Sequence, residues 1–267
     1  MMRRLSILMV TILMCGVAIA QVSIPYKTGF EASESFTAGL TLDGQGGWTA
    51  TGATITDAVK QAGVQSVALG VNSQIDKTFS AAGETVVWME GYFRGAGTTA
   101  DPSFPADPPA SAIVFFSATN GIRCLDGNGT GGGLWSSTGV TLDSNNWYKI
   151  TIRQDYTAKK WKCYVDDAQN PVSGLGFGFR DNVTELHGFR NFADTASYLD
   201  TFRVLPAKKG DANADGKVDA ADVISLINEL SVTSMDIIQK DNADMDNNGL
   251  IETPDLTILI NNILGRS

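Results

Sequence analysis

Hydrophobic and polar positions alternate in short runs through most of the chain. Tyr148, Ile150 and Ile152 alternate with Lys149, Thr151 and Arg153, and Trp161, Cys163 and Val165 alternate with Lys160, Lys162 and Tyr164. A period of two marks strands with one buried face. Residues 156–159, between these runs, predict a hairpin loop. Residues 112–118 form a nearly continuous apolar run, followed by Asn120-Gly121, a tight-turn signal, and then by Ile122 to Leu125. Residues 86–93 and 198–204 read as further strands. Turn signals recurring roughly every ten residues predict a mainly β fold, an antiparallel β-sandwich. Cys124 shares parity with Ile122 and Cys163 shares parity with Trp161, so both thiols are expected to point inward.

The period changes near the C-terminus. Val223, Leu226, Ile227 and Leu230 recur at helical spacing, and Leu256, Leu259, Ile260 and Ile263 repeat them 33 residues later. Two such helices cannot each bury a stripe alone, so they are expected to pack on each other. Before each stands an acidic loop. In the first, Asp211, Asn213, Asp215, Asp219 and Asp222 occupy positions 1, 3, 5, 9 and 12, and Gly216 occupies position 6. In the second, Asp244, Asp246, Asn248, Glu252 and Asp255 take the same positions around Gly249. Calcium takes six to eight hard oxygens, and this spacing supplies them, with the position-7 carbonyls of Lys217 and Leu250 added. Glycine at position 6 permits the sharp turn between ligands. The duplication predicts two Ca²⁺. Four carboxylates per loop repel one another without metal, so folding is expected to be coupled to calcium.

Charge sharpens the boundary between the two patterns. The 267-residue chain carries a formal charge of −9. Residues 209–267 hold eleven acidic and four basic residues, a balance of −7. Pro206 to Gly210 reads as a short linker, giving a sandwich over 21–208 and a helical calcium-binding unit over 209–267. The acidic balance argues against nucleic acid as partner. His187 is the single histidine, which excludes mechanisms needing two. Met1-Met2-Arg3-Arg4, an apolar run and Ala18-Ile19-Ala20 fit an export signal over residues 1–20, cleaved after Ala20. That predicts a secreted protein without a membrane span. In an oxidising compartment Cys124 and Cys163 either pair as a disulfide or remain buried free thiols.

Two loop-plus-helix repeats, Asp at position 12 of both loops and a C-terminal location resemble a type I dockerin. The resemblance implies a cohesin-type partner that tethers a secreted protein to a scaffold or cell surface, often in polysaccharide-handling systems. Family recognition residues lie at loop positions 10 and 11, here Ala220 and Ala221 in the first repeat and Thr253 and Pro254 in the second. Ile224 and Ser225 then correspond to Thr257 and Ile258. The two sets differ, so the repeats do not present the same surface.

Several stretches of the sandwich resemble concanavalin A-like or laminin-G-like domains of secreted bacterial proteins. Gly29-Phe30-Glu31, Gly44-Gln45-Gly46-Gly47-Trp48, residues 146–150, 160–166 and 198–204 carry the likeness. It implies a jelly-roll sandwich that binds glycan, binds protein or cleaves polysaccharide, and fold alone decides none of these. The resemblance also makes Glu31 and Asp200, near the two ends of the domain, candidate ligands of a structural calcium. No acidic residues alternate along one strand in the manner of a glycosidase pair, and His187 lacks the context of a lyase. Of Trp48, Trp88, Trp135, Trp147 and Trp161, most read as core. Trp135, after three glycines, is the candidate sugar platform, with residues 126–129 as a polar rim. A binding module is favoured, with no catalytic residues assigned. A hydrolase or lyase, and a structural protein with a calcium-stabilised cap, are the alternatives.

Overall fold

The computed structural model describes residues 21–81, 83–99, 109–169, 176–232 and 234–266. The expected export signal over 1–20 and residues 104–108 of a proline-rich loop lie outside them. In chain order the strands are β1 (Val22–Ser23), β2 (Tyr26–Thr28), β3 (Thr49–Thr56), β4 (Ser66–Ser80), β5 (Val86–Gly95), β6 (Val114–Ser117) and β7 (Gly121–Gly127). They continue as β8 (Gly133–Ser137), β9 (Tyr148–Asp155), β10 (Lys160–Val165), β11 (Ala168–Gln169), β12 (Phe177–Gly178), β13 (Gly188–Ala193) and β14 (Ser197–Pro206). Three helices follow: α1 (Ala220–Val232), α2 (Ile237–Ala243) and α3 (Thr253–Ile263).

The long strand β4 generates the layering. Its first part pairs with β14 and β3, and its second part pairs with β13 and again with β3. Between them residues 70–72 are exposed and Asn72 takes φ 55°, opposite a register shift at Gly52 with φ 70°. This bend carries one continuous sheet around a corner. One layer runs β4–β14–β5–β9–β10, all antiparallel. Against it lie β13 and the separate sheet β6–β7–β8. The layers meet through aromatic rings. Phe202 of β14 lies 4.6 Å from Phe189 of β13, and Phe116 of β6 lies 6.1 Å from Tyr148 of β9. The fold is thus mainly β with a C-terminal helical region.

Cys124 of β7 and Cys163 of β10 face each other between these layers. Both are fully buried and free, and their thiols are hydrogen-bonded. That contact, together with burial, pushes the Cys163 thiol well above its ordinary value. The expected inward parity of both residues holds.

The helices form a second, smaller core of Ala212, Leu226, Met235, Ala243 and Leu259, flanked by Val223, Leu256 and Ile263. The expected stripes need correction. Ile227, Leu230 and Ile260 are 45%, 39% and 37% exposed. α1 and α3 touch along the narrow seam of Leu226 and Leu259, and residues of loops and of α2 complete the core. A third cluster joins the two units: Trp88, Tyr164 and Leu205 from the outer sheet face meet Ile238 of α2.

Candidate functional site

The two acidic loops fold alike because each first aspartate organises the turn that follows it. Asp211 Oδ1 accepts the Asp215 N–H at 3.0 Å and its Oδ2 accepts the Gly216 N–H at 2.9 Å. Asp244 accepts the N–H groups of Asn248 and Gly249 at 3.1 and 3.0 Å. Asn213 and Asp246 each accept the N–H two residues on, and so do Asp215 and Asn248. Each loop closes on its twelfth residue. The carboxylate of Asp222 holds the N–H groups of Asn213 and Asp219, and that of Asp255 holds those of Met245 and Glu252. Asp222 and Asp255 are 0% exposed. Left-handed backbone falls at matching places: Ala214 and Asn247 at position 4 (φ 58° and 61°), Gly216 and Gly249 at position 6 (φ 92° and 84°).

The donor set fits a hard divalent cation. Carboxylate oxygens of Asp244, Asp246 and Asp255 lie within 4.8 Å of one another. That spread is allowed to oxygens each about 2.3–2.6 Å from one calcium centre. In the first loop Asn213 replaces one carboxylate, and its Nδ2 lies 3.2 Å from Asp215 Oδ2. Burial pushes the Asp211 carboxyl up and the charges of Asp222 and Asp215 push it further, against the N–H groups that favour its ionised form. A cation at the loop centre would favour the ionised form of these carboxylates.

Position 10 and 11 residues Ala220, Ala221, Thr253 and Pro254 are all exposed at the starts of α1 and α3. So are Ile224 and Thr257, while Ser225 and Ile258 are half-buried. Further apolar side chains are exposed on or just after these helices: Ile224 at 61%, Val232 at 73% and Leu264 at 55%, besides Ile227 and Ile260.

Other singled-out residues serve the sandwich. Glu31 Oε1 accepts the N–H groups of Val64 and Gln65, and Asp200 Oδ2 accepts those of Gln61 and Ala62 at 2.7 and 3.1 Å. Both carboxylates therefore grip one loop, residues 61–65, from opposite ends of the domain's sequence. Trp135 is half-buried, its ring 5.4 Å from Phe115, and the adjacent Leu134 is the exposed residue at 79%. The Trp135 ring thus packs on Phe115 while keeping partial exposure. Within its rim, Asn128 Oδ1 holds the N–H groups of Thr130 and Gly132, and Asp126 Oδ1 holds that of Gly178. Trp48, Trp88 and Trp161 are at most 1% exposed, and His187 is exposed.

The sequence reading missed α2. Its signal is a capping box: Asp236 Oδ1 accepts the N–H groups of Ile238 and Gln239, and the Gln239 side chain accepts the Asp236 N–H. Among the described residues no helix is long and apolar enough to cross a membrane.

Among curated proteins none matches this sequence. In backbone the chain is similar to a sialidase, at 10% identity and a TM-score of 0.43 over 71% of this chain. It spans only 19% of that sialidase's length. It is similar to domain 4 of AbnA, a GH43 extracellular arabinanase from Geobacillus stearothermophilus solved with arabinotriose. That match has 13% identity and a TM-score of 0.41, over 59% of this chain and 81% of the other. The CBM22-1 xylan-binding domain of Paenibacillus barcinonensis Xyn10C matches at 16% identity and a TM-score of 0.32, over 70% and 96% of the two chains. The family model of the dockerin type I domain matches residues 209–264. The duplicated loops and the helix after each agree with that match, and residues 209–264 of this chain are a dockerin type I domain.

Proposed function

We propose that this is a secreted protein whose C-terminal domain binds two calcium ions and docks to a cohesin module. The observation that carries the reading is the duplicated loop, with matched hydrogen bonds at positions 1, 3, 5, 6 and 12. One ion would sit among Asp211, Asn213, Asp215, Asp219 and Asp222 with the Lys217 carbonyl. The other would sit among Asp244, Asp246, Asn248, Glu252 and Asp255 with the Leu250 carbonyl. Bound calcium supplies the positive charge that holds each ring of oxygens together. The protein's own contribution is to fix the starts of α1 and α3, with Ala220, Ala221, Thr253 and Pro254 on the outside. The apolar flank of these helices gives a protein partner something to bury.

For residues 21–208 we favour glycan or protein binding over catalysis. What supports this is the work the sandwich carboxylates already do. Asp126, Asp143, Asp155, Asp166 and Asp181 each accept backbone N–H groups that hold turns or loops. A general acid and base in a cleft would need groups left over for substrate. The test of docking is capture of the full chain on an immobilised cohesin-bearing scaffold from the same secretome. Retention in calcium and release in chelator is expected. Passage through the column in both conditions would leave a calcium-stabilised cap with no cohesin. A glycan array beside a reducing-sugar and unsaturated-product screen tests the sandwich, and product release from any polysaccharide would overturn the binding reading.

A further inference from the structure

Trp88 on β5, Tyr164 on β10 and Leu205 on β14 point away from the sandwich core, yet Trp88 is 0% exposed and the other two 5%. Ile238 of α2, itself fully buried, covers them. Two ion pairs flank this contact: Arg203 with Asp236 at 2.5 Å and Arg153 with Asp241 at 3.4 Å. Glu90, 4% exposed, holds Arg203 from the sheet side at 2.8 Å. The same helix is tied elsewhere to the first acidic loop. Asn242, 1% exposed, donates to the Asp211 carbonyl at 3.0 Å and accepts the Lys208 N–H at 3.0 Å. Its own carbonyl accepts the Gly210 N–H at 2.8 Å. One short helix therefore touches both a calcium loop and the sandwich.

We propose that the outer sheet face around Trp88 is a docking surface for the chain's own α2, and that calcium in the first loop keeps it occupied. The inference rests on the calcium reading above. Without a cation, Asp211, Asp215, Asp219 and Asp222 repel, and the backbone to which Asn242 is bonded loses its fixed geometry. A helix of seven residues has no stability of its own, so loosening the loop loosens α2. The contact is poised to open, because Trp88 Nε1 is buried without a hydrogen-bond partner among the described residues and undocking returns it to water. Undocking would uncover the Trp88–Tyr164 pair, whose rings are 5.7 Å apart, beside Arg153 and Arg203. Calcium would then control a surface of the sandwich as well as the fold of the helices.

Hydroxyl-radical footprinting of the full chain, with calcium and with chelator, tests this when calorimetry on the same sample records calcium uptake. Chelation should raise labelling of Trp88 several-fold and leave Trp48 and Trp161, in the sandwich's own core, unchanged. Trp88 unchanged in a chain that binds and releases calcium would overturn the proposal and spare the calcium reading. A chain that takes up no calcium would overturn both. A joint rise of all three tryptophans would mean that the sandwich itself opens, which also contradicts the proposal. Ile238→Asp should label Trp88 in calcium as strongly as chelator does while calcium uptake persists. Protection of Trp88 in that variant would count against the interface.

Discussion

At the scale of single residues, the two position-6 glycines form a controlled pair. Both need left-handed backbone, but a Cβ on Gly216 would lie 2.9 Å from Pro25, whereas one on Gly249 meets nothing within 4 Å. Gly249→Ala should cost only the backbone penalty, about 1–2 kcal/mol. Gly216→Ala should cost more, because it also pushes the first loop off β2's approach segment. Denaturant unfolding in calcium checks the order, and equal losses would mean that the Pro25 contact carries nothing. The cysteines make a second prediction. Refolding with a glutathione redox couple should join Cys124 and Cys163, with glutathione disulfide taking the electrons and leaving as glutathione. The product should be lighter by two hydrogens on intact-mass analysis. The folded, reduced chain should react slowly, since burial and the thiol–thiol contact keep Cys163 protonated. A chain that stays fully reduced through refolding would rule the pairing out. Parity alone brought these thiols to one core. Parity also hid β4: Lys77 occupies a buried position, 2% exposed, its Nζ bonded to the Gly46 carbonyl and 5.3 Å from the Tyr26 ring centre. A charged residue in the apolar register breaks the pattern that sequence reading depends on.

At the scale of elements, α2 shows where legibility ends. It is too short for a hydrophobic stripe, and its apolar residues divide, Ile237 and Ile238 packing toward the sheet and Ala243 into the helical core, so no periodicity betrays it. Only its cap was readable. Asp236 caps α2 and pairs with Arg203 through separate oxygens. Burial alone would raise its carboxyl, but Arg203 and the Gln239 N–H outweigh that and hold it below the ordinary aspartate range. An acid with a depressed folded value contributes stability that is complete above its unfolded value, about 3.9, and is lost as pH falls through the folded one. Asp236→Asn keeps a good cap and removes the charge, so it should cost about 1–3 kcal/mol near neutral pH. In thermal melts in calcium at decreasing pH, the gap between variant and parent should start to narrow below about pH 4 and close as pH falls through the depressed folded value of Asp236. A gap that stays constant with pH would show that the ion pair contributes nothing. The α1 face was the opposite case, readable in kind but misplaced in burial. Ile224 and Ile227 lie outside the seam, so Ile224→Asp with Ile227→Asp should abolish cohesin capture and leave calcium uptake intact. Capture undiminished in that variant would move the docking surface elsewhere.

At the scale of the whole molecule, the sandwich's alternation and the loops' oxygen spacing were both legible, because each follows from local chemistry repeated at fixed intervals. The contact between the units was not, since Trp88, Arg153 and Arg203 read as ordinary residues of half-buried strands until α2 is seen to cover them. The central claim is that the C-terminal domain is built on two calcium ions. Calorimetric titration of the full chain after chelation and desalting tests it most directly, with circular dichroism recorded on the same samples. The account predicts two ions per chain, one each for Asp211→Ala and Asp244→Ala, and helix that disappears in chelator and returns with calcium. Uptake of no calcium, or two ions still bound by both variants, would contradict it.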